Sequence, residues 1–522
     1  MKMNKIITEI LGGELWWGGT TEIPAGRQCY GCEAKIFQEV DRLGGQSSPF
    51  YLSTKGRYIW ADSPLKISFD DGKIEAEGKN AVIVKAGDTL REAYLDAMKK
   101  HFPFEDKALP ERFFTTAQYN TWMEFTYNPT QKSVLEYAHA IVDNGYTPGI
   151  LIIDEGWHVH YGAWEFDFAK FPDPKAMVDE LHGLGFTVML WVVPYVTSDG
   201  REFLDHYEPF ASELLGKKYE PRLLRQPSGE IAILKWWEGF SAMYDMTEEN
   251  DVRHLEGRLR YLMDTYGVDG FKFDGGNIAS IQPYKWLTEP PTKTPEQINK
   301  AWNAFGTRFA YHEYKDTYDR GGKATIERIR DRHPSWGEKG LASLIPIALM
   351  QGYLGYAYIC PDMIGGGEWV FTIDKDYVVD EELFVRMAQC SALFPMMQFS
   401  WAPWRVLGKE AQRLCLEASR LHASFGDYIC EQVRETAKSG EPILRSMEYS
   451  FPHCGYERSF DQFMLGDKYL VAPVLEKGAV EREVALPVGK WKYCDGTVIT
   501  GGGKVTVPAP IEVLPYFERL DL

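Results

Sequence analysis

From about residue 112 to about 450, short apolar runs alternate with amphipathic helical stretches, and this alternation constrains the fold more than any other feature of the chain. Eight runs have strand character: Gln118–Trp122, Gly149–Asp154, Thr187–Val196, Gly270–Asp274, Ala324–Asp331, Tyr356–Asp362, Phe394–Ser400 and Ile443–Tyr449. Between them lie stretches such as SVLEYAHAIVDNG, PKAMVDELHGLG, HLEGRLRYLMDTYG and LFVRMAQCSALF, each apolar along one helical face. A strand followed by a helix, repeated, packs as a parallel sheet with the helices covering it. Eight repeats over roughly 330 residues match a (β/α)8 TIM barrel, with the longer insertions after the third and fourth strands.

The flanks have a different texture. Residues 1–105 carry short alternating runs such as Ile67-Ser68-Phe69 and Ala81-Val82-Ile83-Val84, separated by turn chemistry of the DDGKIEAEGKN kind. They predict an N-terminal β domain, closed by a helical stretch, TLREAYLDAMKKH, ahead of Pro103 and Pro110. Residues 106–450 are assigned to the barrel. Over 451–522, MLGDKYLVAPVL, EREVALP, GKWKYCDGTVIT and GKVTVPAPIEVLPYF predict a C-terminal β-sandwich.

The chain has 522 residues and a formal net charge of −18, which repels phosphate backbones and anionic lipid and argues against nucleic-acid and membrane partners. A neutral small-molecule ligand is expected. Aromatic residues make up 14% of the chain, and flat rings with polar edges suit sugar faces as well as protein cores. No run approaches the roughly 18 apolar residues needed to span a bilayer. Glu9 and Glu14 interrupt the opening segment where a signal peptide needs an apolar core, so a cytoplasmic location is expected. Cys29 and Cys32 form the one C-x-x-C, without the second ligand pair of a structural zinc site. His158 and His160 read as loop histidines rather than metal ligands, and neither a cofactor nor a metal is implied. Self-association into a homo-oligomer stays open.

Catalytic side chains of a barrel sit at the C-terminal ends of its strands. Trp122 closes the first run, Asp154 the second, Asp274 the fourth, Asp331 the fifth and Asp362 the sixth. One Asp after a strand is ordinary turn chemistry, but four converging on one mouth would repel one another without a purpose. In GFKFDGG, Lys272 and Asp274 are two apart and share a strand face, so the lysine is expected to favour the ionised carboxylate that a nucleophile requires. Gly275 and Gly276 then leave room for substrate. Asp331 lies among Arg328, Arg330 and Arg332, whereas a proton donor needs the opposite influence. Those arginines must point elsewhere, or be neutralised by Glu327 or by the nucleophile's charge. Two carboxylates in a polar, aromatic-walled pocket suit glycosidic cleavage.

GFKFDGG, IRDRHPSWGEKGLASLIPIALMQGYLGYAYICPDMIGGG and DKYLVAPVLEKGAVEREVALPVGKW together resemble glycoside hydrolase family 31. Within it they are most similar to the branch of the myogenesis-regulating glycosidase and related bacterial α-galactosidases. The resemblance runs from about Gln118 to Trp491 and implies a retaining exo-α-glycosidase working by double displacement. It implies that Asp274 is the nucleophile and Asp331 the acid/base. It also implies that Asp154 holds sugar hydroxyls, that Lys272, Arg328 and Asp362 are family site residues, and that Trp236 or Trp237 walls the pocket. Trp191 is either such a wall or barrel packing. Where the family's common α-glucosidases carry R-N-H after the seventh strand, this chain has PMMQFSWAPW, with Ser400 at the histidine position. Losing a hydrogen-bonding histidine leaves a sugar hydroxyl unpaired at a cost of about 1–3 kcal/mol, so an α-galactoside is expected ahead of an α-glucoside, an α-xyloside or a modified sugar. A carbohydrate-binding homologue without turnover is the reading from another class.

Overall fold

The structure is a computed structural model, and it describes residues 3–22, 36–39, 44–207, 222–226, 228–281, 293–374 and 376–521. Cys29 and Cys32 lie outside them. The chain divides into two compact units, one comprising Tyr119–Tyr318 and the other Gly45–Gln118 and Asp319–Leu522 together with the N-terminal residues.

In the Tyr119–Tyr318 unit five parallel strands lie side by side. The strand Gln118–Asn120 pairs with Ile150–Ile153, that with Thr187–Val192, that with Gly270–Phe273, and that with Tyr311–Tyr314. The second and fourth are buried at every residue, as expected of parallel strands covered on both faces. The helices between them begin on capping residues. Thr130 caps Gln131–Asp143 and Thr294 caps Pro295–Phe305, each with a reciprocal capping box. Asp173 caps Pro174–Leu184, which has proline at its first turn and ends on left-handed Gly185. The long connection after the third strand builds an antiparallel sheet of Tyr195–Val196, Gly239–Met243 and Leu234–Trp236 before the helix Glu249–Tyr266.

The other unit holds three further strands of the series. Glu327–Arg328 pairs in parallel with Ile359–Cys360, and a parallel bridge joins Ile364 to Phe399 of the strand Gln398–Phe399. In chain order these are the sixth, seventh and eighth, which completes the expected count of eight. Two of the expected strands differ. Tyr311–Tyr314 is the fifth strand and had no counterpart in the sequence reading, because YHEY is not an apolar run, although His312 and Glu313 are both buried. Conversely, Ile443–Tyr449 is no barrel strand: Leu444–Arg445 pairs antiparallel with Phe463–Leu465, and Ser446 then caps a short helix, Met447–Ser450.

In the same unit, the N-terminal residues form an antiparallel sheet of Met3–Glu9, Lys73–Lys79, Lys66–Asp70 and Ile36–Glu39. A second one comprises Trp16–Thr20, Gln46–Ser53, Arg57–Trp60 and Val82–Lys85. The helix Leu90–His101 packs on the second sheet, in a core shared with Met350 and Tyr353 of the helix Leu344–Tyr353. At the C-terminus six antiparallel strands run in the order Leu444–Arg445, Phe463–Leu465, Tyr469–Val471, Tyr516–Arg519, Glu481–Tyr493 and Val498–Pro508. A bulge at Leu486/Gly489 bends the long hairpin over a core containing Leu470, Trp491 and Phe517. Both flanking regions are β-rich, as expected.

Candidate active site

Within the Tyr119–Tyr318 unit the strand ends bring together most of the expected residues. Asp274 follows the strand Gly270–Phe273 directly and is only 4% exposed. Its Oδ2 accepts a hydrogen bond from Nε1 of Trp191 at 3.1 Å, and its Oδ1 one from the backbone N–H of Gly275 at 2.8 Å. Nζ of Lys315, just past the fifth strand, lies 3.5 Å from Oδ2. Donors and a cation of this kind favour the ionised carboxylate.

Lys272 does not play the part expected of it beside Asp274. Its Nζ pairs with Oδ2 of Asp154 at 2.6 Å, and both side chains are 3% exposed. Lysine and aspartate two apart on one strand need not meet if a carboxylate at the end of another strand is nearer, here two strands away beyond Thr187–Val192, and a cation beside Asp274 is Lys315. Asp154 itself follows the strand Ile150–Ile153, and its Oδ1 accepts from the N–H of Glu155 at 2.9 Å. Gly275 and Gly276 have φ of +63° and +65°. A Cβ on Gly275 would stand 2.8 Å from Cε2 of Tyr195, and one on Gly276 2.7 Å from Cδ1 of Trp302. Backbone conformation and close packing therefore demand these glycines, beyond any room they leave for substrate.

The tryptophans take different places. Trp191 is buried with its ring parallel to that of His158, and through its N–H it is a partner of Asp274. Trp236 stacks on Tyr195 at 4.3 Å and meets Tyr161 edge-on at 5.0 Å. Trp237 is 47% exposed, and its Cη2 lies 3.4 Å from where a Cβ of Gly275 would be, next to Asp274. Trp122 does not close the first strand, which ends at Asn120; it opens a short helix, Trp122–Phe125, in which it is buried, and packs edge-on against Tyr127. Sequence reading missed Lys315 and Glu155. Glu155 is 2% exposed, its Oε1 accepts from Tyr161 Oη at 2.6 Å, and burial, reinforced by Glu238, Asp154 and Asp274, pushes its carboxyl up to about 8. The signal was present in the pair Asp154-Glu155 at a strand end.

In the other unit Arg328, Asp331 and Asp362 form one cluster. Arg328 is fully buried; its Nη1 donates to Oδ1 of Asp362 at 2.6 Å and its Nη2 to Oδ1 of Asp331 at 3.1 Å. Oδ2 of Asp362 accepts the N–H groups of Arg332 at 2.6 Å and Gly367 at 2.9 Å. Burial and the Asp331 charge push Asp362 up to about 6, against the pull of Arg328 and the Arg332 N–H. Of the arginines around Asp331, Arg332 turns to Glu22 at 3.1 Å and to the Arg330 carbonyl at 2.9 Å. Arg328 does touch Asp331, but divides its charge with Asp362. The neutralising group is thus Asp362, and Glu327 instead accepts from Gln46 at 3.3 Å. Ser400 follows the strand Gln398–Phe399 and is fully buried. No cluster of three or more potential metal ligands occurs among the described residues, and no described helix is long and apolar enough to cross a membrane.

Residues 107–432 match the glycosyl hydrolases family 31 TIM-barrel domain, and residues 440–521 match that family's C-terminal domain. The chain belongs to glycosyl hydrolase family 31. Its eight parallel strands are accordingly those of a TIM barrel with β-rich flanks. Among curated family 31 relatives it is 31% identical to the myogenesis-regulating glycosidase of Mus musculus over 80% of this chain and 58% of that protein. It is 26% identical to the 1,3-alpha-isomaltosidase of Kribbella flavida over 76% of this chain and 54% of that protein. The chain thus spans little more than half the length of these relatives. The fold matches the Flavobacterium johnsoniae family 31 dextranase complexed with glucose at a TM-score of 0.81 and 19% identity, over 99% of this chain and 66% of that one.

Proposed function

We propose that this chain is a retaining, exo-acting α-glycosidase that cleaves terminal α-linked sugars by double displacement, with Asp274 as nucleophile and Asp331 as acid/base. The observation that carries the reading is the setting of Asp274: a nearly buried carboxylate at a strand end, held by an indole N–H, a backbone N–H and a lysine. Such a setting favours the charged form and fixes its direction, as attack on an anomeric carbon requires. Asp331 then gives its proton to the departing oxygen and later takes one from water. Arg328, shared with Asp362, leaves Asp331 less strongly held in its charged form than a dedicated arginine would. Asp154, oriented by Lys272, is assigned to sugar hydroxyls, and Trp236 and Trp237 to the apolar sugar face.

The substrate proposed first is an α-galactoside, on the strength of Ser400 at the position of the glucosidases' histidine. An α-glucoside is the second reading, favoured by relatives named isomaltosidase and alpha-glucosidase. Nitrophenyl α-galactoside, α-glucoside and α-xyloside, assayed side by side, separate the two. Asp274→Asn and Asp331→Asn are each expected to lower kcat by about 10²–10⁴-fold or more while the melting midpoint stays within a few degrees. Near-full activity of either variant on an unactivated substrate removes its assigned role. Sugar binding by a chain that turns over no activated α-glycoside would favour a binding protein instead.

A further inference from the structure

Glu155 takes no part in the chemistry assigned above, yet it sits directly after Asp154 at the end of the second strand and is 2% exposed. Its one side-chain partner among the described residues is Tyr161, on Oε1; Oε2 has none, and no cation pairs with the residue. Its neighbours differ in this respect, because Asp154 has Lys272 and Asp274 has Lys315. A carboxyl without a cation, with one oxygen unclaimed and not fully enclosed, is placed to bond a ligand at the strand end. Tyr161, which orients it, packs edge-on against both Trp191 and Trp236. Trp191 in turn holds Asp274. Glu155 thus belongs to the same side-chain cluster as the proposed nucleophile.

We propose that Glu155 is a specificity-determining residue of the Asp274 site, binding a hydroxyl of the pyranose through its free oxygen, in a setting whose negative groups disfavour charged, anionic sugars. This rests on the glycosidase reading and extends it to substrate class. The groups that act on Glu155 are Tyr161; Glu238, bound by Tyr127; Asp154 with Lys272; and Asp274 with Lys315. Lys170 is anchored nearby on the carbonyls of Gly156 and Tyr127. The surroundings that push Glu155 up to about 8 leave it protonated at neutral pH, able both to donate to and to accept from a hydroxyl. The same negative field opposes a sulfonate or carboxylate on the sugar.

Calorimetry with free galactose, glucose and galacturonic acid, which needs no turnover, tests this on the full chain, alongside nitrophenyl α-glycoside kinetics. Glu155→Ala is expected to weaken neutral-sugar binding about 10-fold or more and to raise KM more than it lowers kcat. Glu155→Gln, which keeps a donor and an acceptor, recovers most of that loss, and its affinity does not fall above pH 8 as the wild type's does. Galacturonic acid is expected to bind the wild type at least about 100-fold more weakly than galactose. Should Glu155→Ala fail to fold, the glutamine variant's pH profile and the acid-to-neutral ratio still decide. Neutral sugars binding Glu155→Ala as tightly as wild type, or galacturonic acid binding as tightly as galactose, overturns the inference. If no nitrophenyl glycoside is cleaved but these affinities behave as expected, the glycosidase reading falls and the role of Glu155 stands. If no sugar binds at all, both fall.

Discussion

At the scale of single residues, the directional control of Asp274 depends on Trp191. Its N–H is one of the hydrogen-bond donors contacting the carboxylate, and the indole itself packs against His158 and Tyr161. Trp191→Phe keeps the ring and loses the donor. Hydrogen bonds to charged groups contribute about 1.5–3 kcal/mol, so kcat is expected to fall roughly 10- to 100-fold with a smaller change in KM. Steady-state kinetics read this, and a pure KM effect would place Trp191 on the sugar rather than on the nucleophile. The strand-end acids were legible in the sequence because each closes an apolar run. Their partners were not: Lys272 meets Asp154 across 118 residues of chain, and Lys315 reaches Asp274 across 41. Contacts at such separations are set by the order in which the strands line up, which no local pattern encodes. Arg328 and its division between Asp331 and Asp362 show the same limit, since the sequence offered three arginines and no means of choosing among them.

At the scale of elements, legibility followed hydrophobicity. Runs such as LIID and GFKFD announced themselves, while Tyr311–Tyr314 was lost because a strand whose buried residues include His312 and Glu313 looks like a loop. Ile443–Tyr449 failed in the opposite way: its apolar residues are real core, but Ser446 ends the strand by capping a helix. The turn after the fourth strand carries a stronger demand than composition suggested. At Gly276 the left-handed backbone and the indole of Trp302 both exclude a side chain. Gly276→Ala is expected to cost about 2–4 kcal/mol, combining the unfavourable φ with overpacking, and to impair turnover by moving Asp274. Denaturant unfolding and kcat together check this. An alanine variant as stable and as active as the wild type would show that the turn tolerates a Cβ.

At the scale of the whole molecule, the order β-rich region, barrel, β-rich region was readable from texture, whereas the balance of buried charge was not. Among the described residues burial raises several carboxyls, Glu155 to about 8, Asp251 and Glu448 to about 7 and Asp362 to about 6, and depresses imidazoles, His158 to about 3 and His422 to about 4. A carboxyl whose folded value is raised contributes stability that is complete below its unfolded value near 4 and is lost as pH rises through the folded value. A depressed histidine contributes stability that is complete above 6.5 and is lost as pH falls toward the folded value. Between about pH 4 and 6.5 the two effects oppose each other. Above 6.5 the histidines have nothing further to add, and each carboxyl still protonated in the folded chain removes about 1.4 kcal/mol per pH unit. Asp251 and Glu448 act up to about pH 7 and Glu155 alone beyond it. The melting midpoint is therefore expected to fall between pH 6.5 and 8 and to level off above. Glu155→Gln should flatten the segment from pH 7 to 8. Melting curves at half-unit intervals of pH, recorded for both proteins, test the argument, and a midpoint that rises across that window in the wild type contradicts it.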